Sequence, residues 1–135
     1  MQAEIYLDRV KKIDAMIQNK LRDHRHWVEV ADGLGGAGLG ERVQSSRNLH
    51  RGADAIDRYI DIEREIEALK QERQEIMETI ERLPSAEYEV IHMLYVQDYS
   101  MKEIAYIKKK SYDWVKRKKR WSLEFIQAIL DGELA

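Results

Sequence analysis

Between Met101 and Trp121 stand nine cations, Lys102, Lys108, Lys109, Lys110, Lys116, Arg117, Lys118, Lys119 and Arg120, against only Glu103 and Asp113. This segment carries +7 while the whole chain carries −2, so the remainder carries −9. Long cations crowded in this way can neutralise phosphates and release the counterions of a nucleic acid, while polar neighbours reach base edges. Charge separated along the chain is the electrostatic footprint of a DNA-facing end attached to an acidic body. A solvated helix face would show the same run without any partner, so the elements around it decide between the two readings.

Other residues with chemical potential point nowhere comparable. The chain has no cysteine, which excludes disulfides, thiolate catalysis and cysteine-based zinc sites. His24 and His26 are two apart, about 200° around a helix, and His50 and His92 are isolated, so no metal site is expected. Gly33-Leu34-Gly35-Gly36-Ala37-Gly38 matches G-x-G-x-x-G in form, but it follows a helix rather than a strand, which favours a flexible linker over a nucleotide site. The carboxylates are explained by solubility and helix pairing, and neither an enzyme nor a cofactor is expected. Trp114 and Trp121 could stack on bases, yet aromatic residues one heptad apart are more often packing contacts, and Trp27 is assigned the same role.

The elements that would position the basic segment are helical. Leu7, Val10, Ile17, Leu21 and Val28 recur at three- and four-residue steps, with Asp14 and His24 between them and Ile5, Ile13 and Trp27 widening the stripe, so a helix is predicted from Glu4 to about Asp32. A glycine-rich loop follows to about Gly52, within which Val43 to Asn48 offers polar groups to a partner. A second helix is predicted from an N-cap at Asp54 to Leu83, where Pro84 stops it. Its seam of Ala55, Tyr59, Ile62, Ile66, Leu69, Arg73, Ile76, Ile80 and Leu83 calls for a helical partner, in the same chain or in another. Arg73 marks register, a polar contact or the place where the partner ends.

Three shorter helices are predicted after Pro84. Ser85 caps the first, in which Glu87 and Glu89 suit the helix dipole and Val90, Ile91, Leu94 and Tyr95 suit burial; Ser100 caps the second, Met101 to about Lys108; Ser111 caps the third, Tyr112 to about Leu130. In a helix-turn-helix, apolar residues pack the first helix, a small residue permits a close crossing, and the second helix enters the major groove by its N-terminal end. Met101, Ile104 and Ile107 are the expected packing residues, Ala105 the small one, and Val115 the residue that closes the unit. The DNA-binding residues expected are Lys102, Lys109, Lys110, Ser111, Tyr112, Asp113, Lys116, Arg117, Lys119 and Arg120.

Tyr99-Ser100-Met101-Lys102-Glu103-Ile104-Ala105 followed by Ser111 and Val115 resembles region 4 of sigma-70-type factors, and Leu83 to Ile91 is similar to that region's opening helix. Lys109 and Lys110 stand where the usual unit has its turn glycine and an apolar residue, and Lys118 replaces an apolar one. The whole layout resembles small phage transcriptional regulators of the RinA/ArpU type, a resemblance that implies control of late phage genes and admits contact with host RNA polymerase.

The expected fold is thus all-α: a long, coiled-coil-like helical hairpin over 1–83 with a Gly-rich loop at 32–52, for oligomerisation or partner binding, then a sigma-70 region 4-like helix-turn-helix domain over 84–135. Double-stranded DNA is the expected partner, with a homo-oligomer, a dimer in preference, supporting it. A small-terminase-like DNA-packaging adaptor is the alternative, as is an interaction module whose basic end binds an acidic protein. No apolar run approaches the ~20 residues of a membrane span and the first residues lack a signal-peptide pattern, so a protein of the bacterial host cytoplasm is expected.

Overall fold

The computed structural model describes residues 1–35 and 46–134, and all regular structure among them is helical. In chain order these are α1 (Ala3–Gly35), α2 (Ser46–Ile80), α3 (Ser85–Ile91) running into a π-helical turn (His92–Val96), α4 (Met101–Lys108) and α5 (Tyr112–Leu130). Gly36, Gly38, Gly40 and the stretch Val43 to Ser45, expected as loop, lie outside the described residues. Among the described residues no helix is long and apolar enough to cross a membrane.

Both long helices exceed their predicted lengths. α1 continues to Gly35, and α2 begins at Ser46, so Asp54 lies inside the helix and is not its N-cap. Gly52 is therefore helical too, at a cost of about 1 kcal/mol relative to alanine. The buried seam that follows it, Ala55, Ile62, Ile66 and Leu69, supplies tertiary stabilisation that outweighs one weak position.

The chain forms two compact units, Met1–Ile13 with Glu72–Ala135, and Asp14–Gln71. In the second of these, α1 and α2 run antiparallel. Lys20 Nζ donates to Glu65 Oε2 at 2.6 Å, and His24 Nε2 lies 2.8 Å from Glu63 Oε2 with its ring edge-on to Tyr59. Lys20 holds the Glu65 carboxyl below the usual range, though both groups meet solvent and such pairs contribute little stability. Leu21, expected in the stripe, is 40 % exposed.

The first unit combines the opening turns of α1 and the end of α2 with every later element. Leu7, Val10, Ile13, Ile76, Ile80, Leu83, Ile91, Tyr95 and Ile126 are buried in it. Ile5 is 58 % exposed, so it does not widen the buried stripe as expected. Here too α1 and α2 are antiparallel: the hydroxyls of Tyr6 and Thr79 share a hydrogen bond of 2.8 Å, and Arg9 grips Glu72 through Nε at 2.6 Å and a second nitrogen at 3.1 Å. That grip lowers the Glu72 pKa. The Ala3 amide donates to Gln127 Oε1 at 2.8 Å, while Gln127 Nε2 donates to the Met1 carbonyl at 2.9 Å. The seam of α2 is thus matched by α1 of the same chain.

α2 stops at Ile80, three residues before the predicted end, because Pro84 disfavours helical backbone at Leu83. Pro84 itself occupies the N-cap position of α3 with φ −59° and ψ 158°, and no side chain caps the helix. Ser85 is the first helical residue rather than the cap expected of it. The π-helical turn, closed by Gln97 N–H donating to the His92 carbonyl, brings the chain to Asp98 at φ 65°, whose carboxylate accepts from Lys11 at 2.6 Å.

Candidate nucleic-acid interface

Two capped helices joined by a short turn position the basic segment. Ser100 Oγ accepts from Glu103 N–H at 3.1 Å and Glu103 Oε1 accepts from Ser100 N–H at 2.9 Å, a reciprocal capping box that starts α4 where the sequence predicts. α4 ends on Lys109 in the left-handed region, φ 56° and ψ 43°. Lys110 N–H donates to the Ala105 carbonyl and Lys109 N–H to that of Tyr106, the paired bonds of a Schellman motif. Lysine thus does, at some conformational cost, what glycine does in most such ends. Ser111 Oγ then accepts from Trp114 N–H at 3.0 Å and starts α5.

The two helices are held at their crossing by a core of Val90, Ile104 and Val115, all fully buried, ringed by Met93, Leu94, Tyr99, Met101, Ala105 and Trp114. Ala105 and Val115 therefore sit where sequence reasoning places them. Ile107 does not: it is 48 % exposed and, with Lys102, Glu103 and the outward Tyr106, lines a surface depression. Ile104 and Ile107 are three apart, and only the first faces α5. Trp114 is a packing residue as expected, whereas Trp121 is 45 % exposed and covers itself only in part, by stacking on Phe125 at 5.2 Å.

α5 sorts the basic run by helical angle. Val115, Ser122 and Ile126 define its buried side, with the Ser122 hydroxyl donating to the Lys118 carbonyl at 2.7 Å. Asp113, Lys116, Arg117 and Arg120, spaced three, one and three apart, share the outward side and with Ser111 line a shallow depression. Tyr112 is exposed at the first turn, and Lys102, Lys109 and Lys110 are exposed on α4 and the turn. Lys110 also places its ammonium 5.5 Å from the Trp114 ring centre.

The remaining lysines are engaged inside the unit. Lys118 Nζ donates to Glu87 Oε1 at 2.7 Å and lies 5.6 Å from the Trp114 ring centre. Glu87 retains only 13 % of its side-chain exposure, and the Lys118 hydrogen bond holds its carboxyl below the usual range. Lys108 pairs with Glu89. Lys119, counted among the DNA-binding residues, has a side chain 25 % exposed and lies 3.5 Å from Glu4 of α1. Arg120 reaches Glu124 at 3.7 Å, but both are open to solvent and such a pair leaves the guanidinium available.

Sequence reasoning missed Glu87 and Glu89 as lysine partners. Their place near the start of α3 reads as complementarity to the helix dipole, and no spacing within one helix discloses a contact with another. No family model matches the chain, and neither a characterised protein nor a solved structure does.

Proposed function

We propose that this chain is a sequence-specific double-stranded DNA-binding regulator of transcription, of the sigma-70 region 4-like kind its sequence resembles, acting in the cytoplasm of a bacterial host of the encoding phage. α4 and α5 serve as the helix-turn-helix, and the N-terminal half of α5 enters the major groove. The observation that carries this reading is the single outward face of Asp113, Lys116, Arg117 and Arg120 on the first turns of a helix whose opposite side is buried. A helix with its side chains is about 10–12 Å across, which fits the ~12 Å width of the major groove. The α1–α2 body acts as the module for dimerisation or polymerase contact, since a single unit binds weakly and a two-fold pair engages two half-sites.

Genome-wide recovery of DNA bound by the wild-type protein, beside an Arg117→Ala/Arg120→Ala variant, tests this reading. Peaks close to promoters that vanish in the variant support it. Enrichment at a DNA-packaging site replaces regulation with an adaptor role, and absence of enrichment together with no binding to linear duplex at low salt overturns DNA binding altogether.

A further inference from the structure

The basic segment is larger than the face it presents. Of the nine cations between Met101 and Trp121, Lys108 and Lys118 are held by two carboxylates of one short helix, Glu89 and Glu87. The two residues are two apart on α3, so their side chains diverge, one to α4 and the other to α5. Lys118 is also the residue next to the outward pair Lys116 and Arg117, and a free ammonium there would stand at the flank of the presented face. Its ammonium lies 5.6 Å from the Trp114 ring centre and is hydrogen-bonded to Glu87 of α3.

We propose that Glu87 and Glu89 are positioning residues for DNA binding, which withdraw Lys118 and Lys108 from the phosphate-contacting set and thereby limit the charge that a non-target duplex meets. The inference rests on the DNA-binding reading above. Phosphate contacts add affinity for any sequence, whereas base contacts discriminate. Withdrawing two cations from the flanks lowers affinity for unrelated DNA while leaving Arg117 and Arg120 on the groove-facing side. The carboxylates act through lysines and touch no DNA themselves.

The salt dependence of binding counts phosphate contacts, at about 0.9 in log–log slope for each. The test is a fluorescence-anisotropy titration of the full chain on a labelled duplex of random sequence, from 50 to 200 mM KCl. It compares wild type, Glu87→Gln, Lys118→Gln and the double variant Glu87→Gln/Lys118→Gln, each checked for helix content by circular dichroism. Glu87→Gln is expected to steepen the slope by up to about 0.9, an extra ~3.5-fold loss of affinity across that fourfold change in salt, and to tighten binding at 50 mM. Lys118→Gln and the double variant, which has the wild-type net charge, are expected to keep the wild-type slope. A slope already reduced by about 0.9 in Lys118→Gln shows that Lys118 contacts phosphate in the wild type and overturns the proposal. Equal steepening by Glu87→Gln with and without Lys118 reduces the carboxylate to a long-range field and also overturns it. Wild-type protein that binds no duplex at 50 mM KCl removes the DNA-binding reading itself and the positioning role with it, a result distinct from the other two.

Discussion

Lys109 closes the turn between α4 and α5 in a conformation that L-residues with a Cβ avoid. Left-handed backbone costs a residue other than glycine roughly 1–2 kcal/mol, and glycine gives back about 0.4–1 kcal/mol through its freer unfolded chain. Lys109→Gly also removes a cation beside the C-terminus of α4, a change that Lys109→Ala makes equally, so the comparison of these two variants isolates the backbone term. The glycine variant is expected to be more stable than the alanine variant by about 0.5–1 kcal/mol, the reverse of the order found within a helix, where alanine leads by about 1 kcal/mol. Urea unfolding followed by Trp114 fluorescence, in a background carrying Trp27→Phe and Trp121→Phe, reads the unit in which Trp114 packs against the Val90, Ile104 and Val115 core. A shift of midpoint at constant m value measures the difference. Alanine equal to or above glycine would refute the assignment of strain to this turn.

Tyr95 is buried, and burial, followed by the charges of Glu4 and Asp8, raises the pKa of its hydroxyl. The unfolded chain then ionises first, so stability present below about pH 10 falls as pH rises beyond it, and Tyr95→Phe is expected to remove that alkaline loss in pH-dependent urea midpoints. Glu72 shows the opposite sign: Arg9 lowers its pKa in the folded state, so its contribution is complete above about pH 4.3 and fades in more acid solution. Arg9→Met should flatten the acid limb of thermal unfolding, and an unchanged limb rules out the pair as its source. Ser111→Ala deletes the hydroxyl that accepts from Trp114 N–H and is expected to cost about 1 kcal/mol, the usual value of an N-cap, as measured by urea unfolding.

What was legible in the sequence was local. α4 and α5 begin and end where Ser100, Ser111 and the apolar spacing place them, since a serine cap and a 3.6-residue period are written in neighbouring residues. Ala105 and Val115 follow from the geometry of two crossing helices. What escaped depends on contacts distant in sequence or on backbone state. The left-handed backbone of Lys109 is foreshadowed only by the turn glycine of the unit the sequence resembles, since lysine itself carries no such signal. Ile107 carries the same side chain as Ile104 and differs only in angle. Asp54 has the chemistry of a cap but stands inside a helix already begun at Ser46. Of the five neighbouring cations Lys116 to Arg120, Lys118 and Lys119 are set apart by carboxylates that arrive from other helices, Glu87 and Glu4, which their own neighbourhood in sequence does not disclose.

The hydrogen bonds that Gln127 makes with Ala3 and Met1 join residues 124 and 126 positions apart. On a ribosome adding about 5–20 residues per second, the opening turns of α1 emerge on the order of ten seconds before the helix that receives them. Leu7, Val10 and Ile13 are without Gln127's helix throughout that interval. Every residue of the Asp14–Gln71 unit, by contrast, has been synthesised before α3 exists. The helical pair of the Asp14–Gln71 unit is thus available to fold before α5 arrives to secure the start of α1.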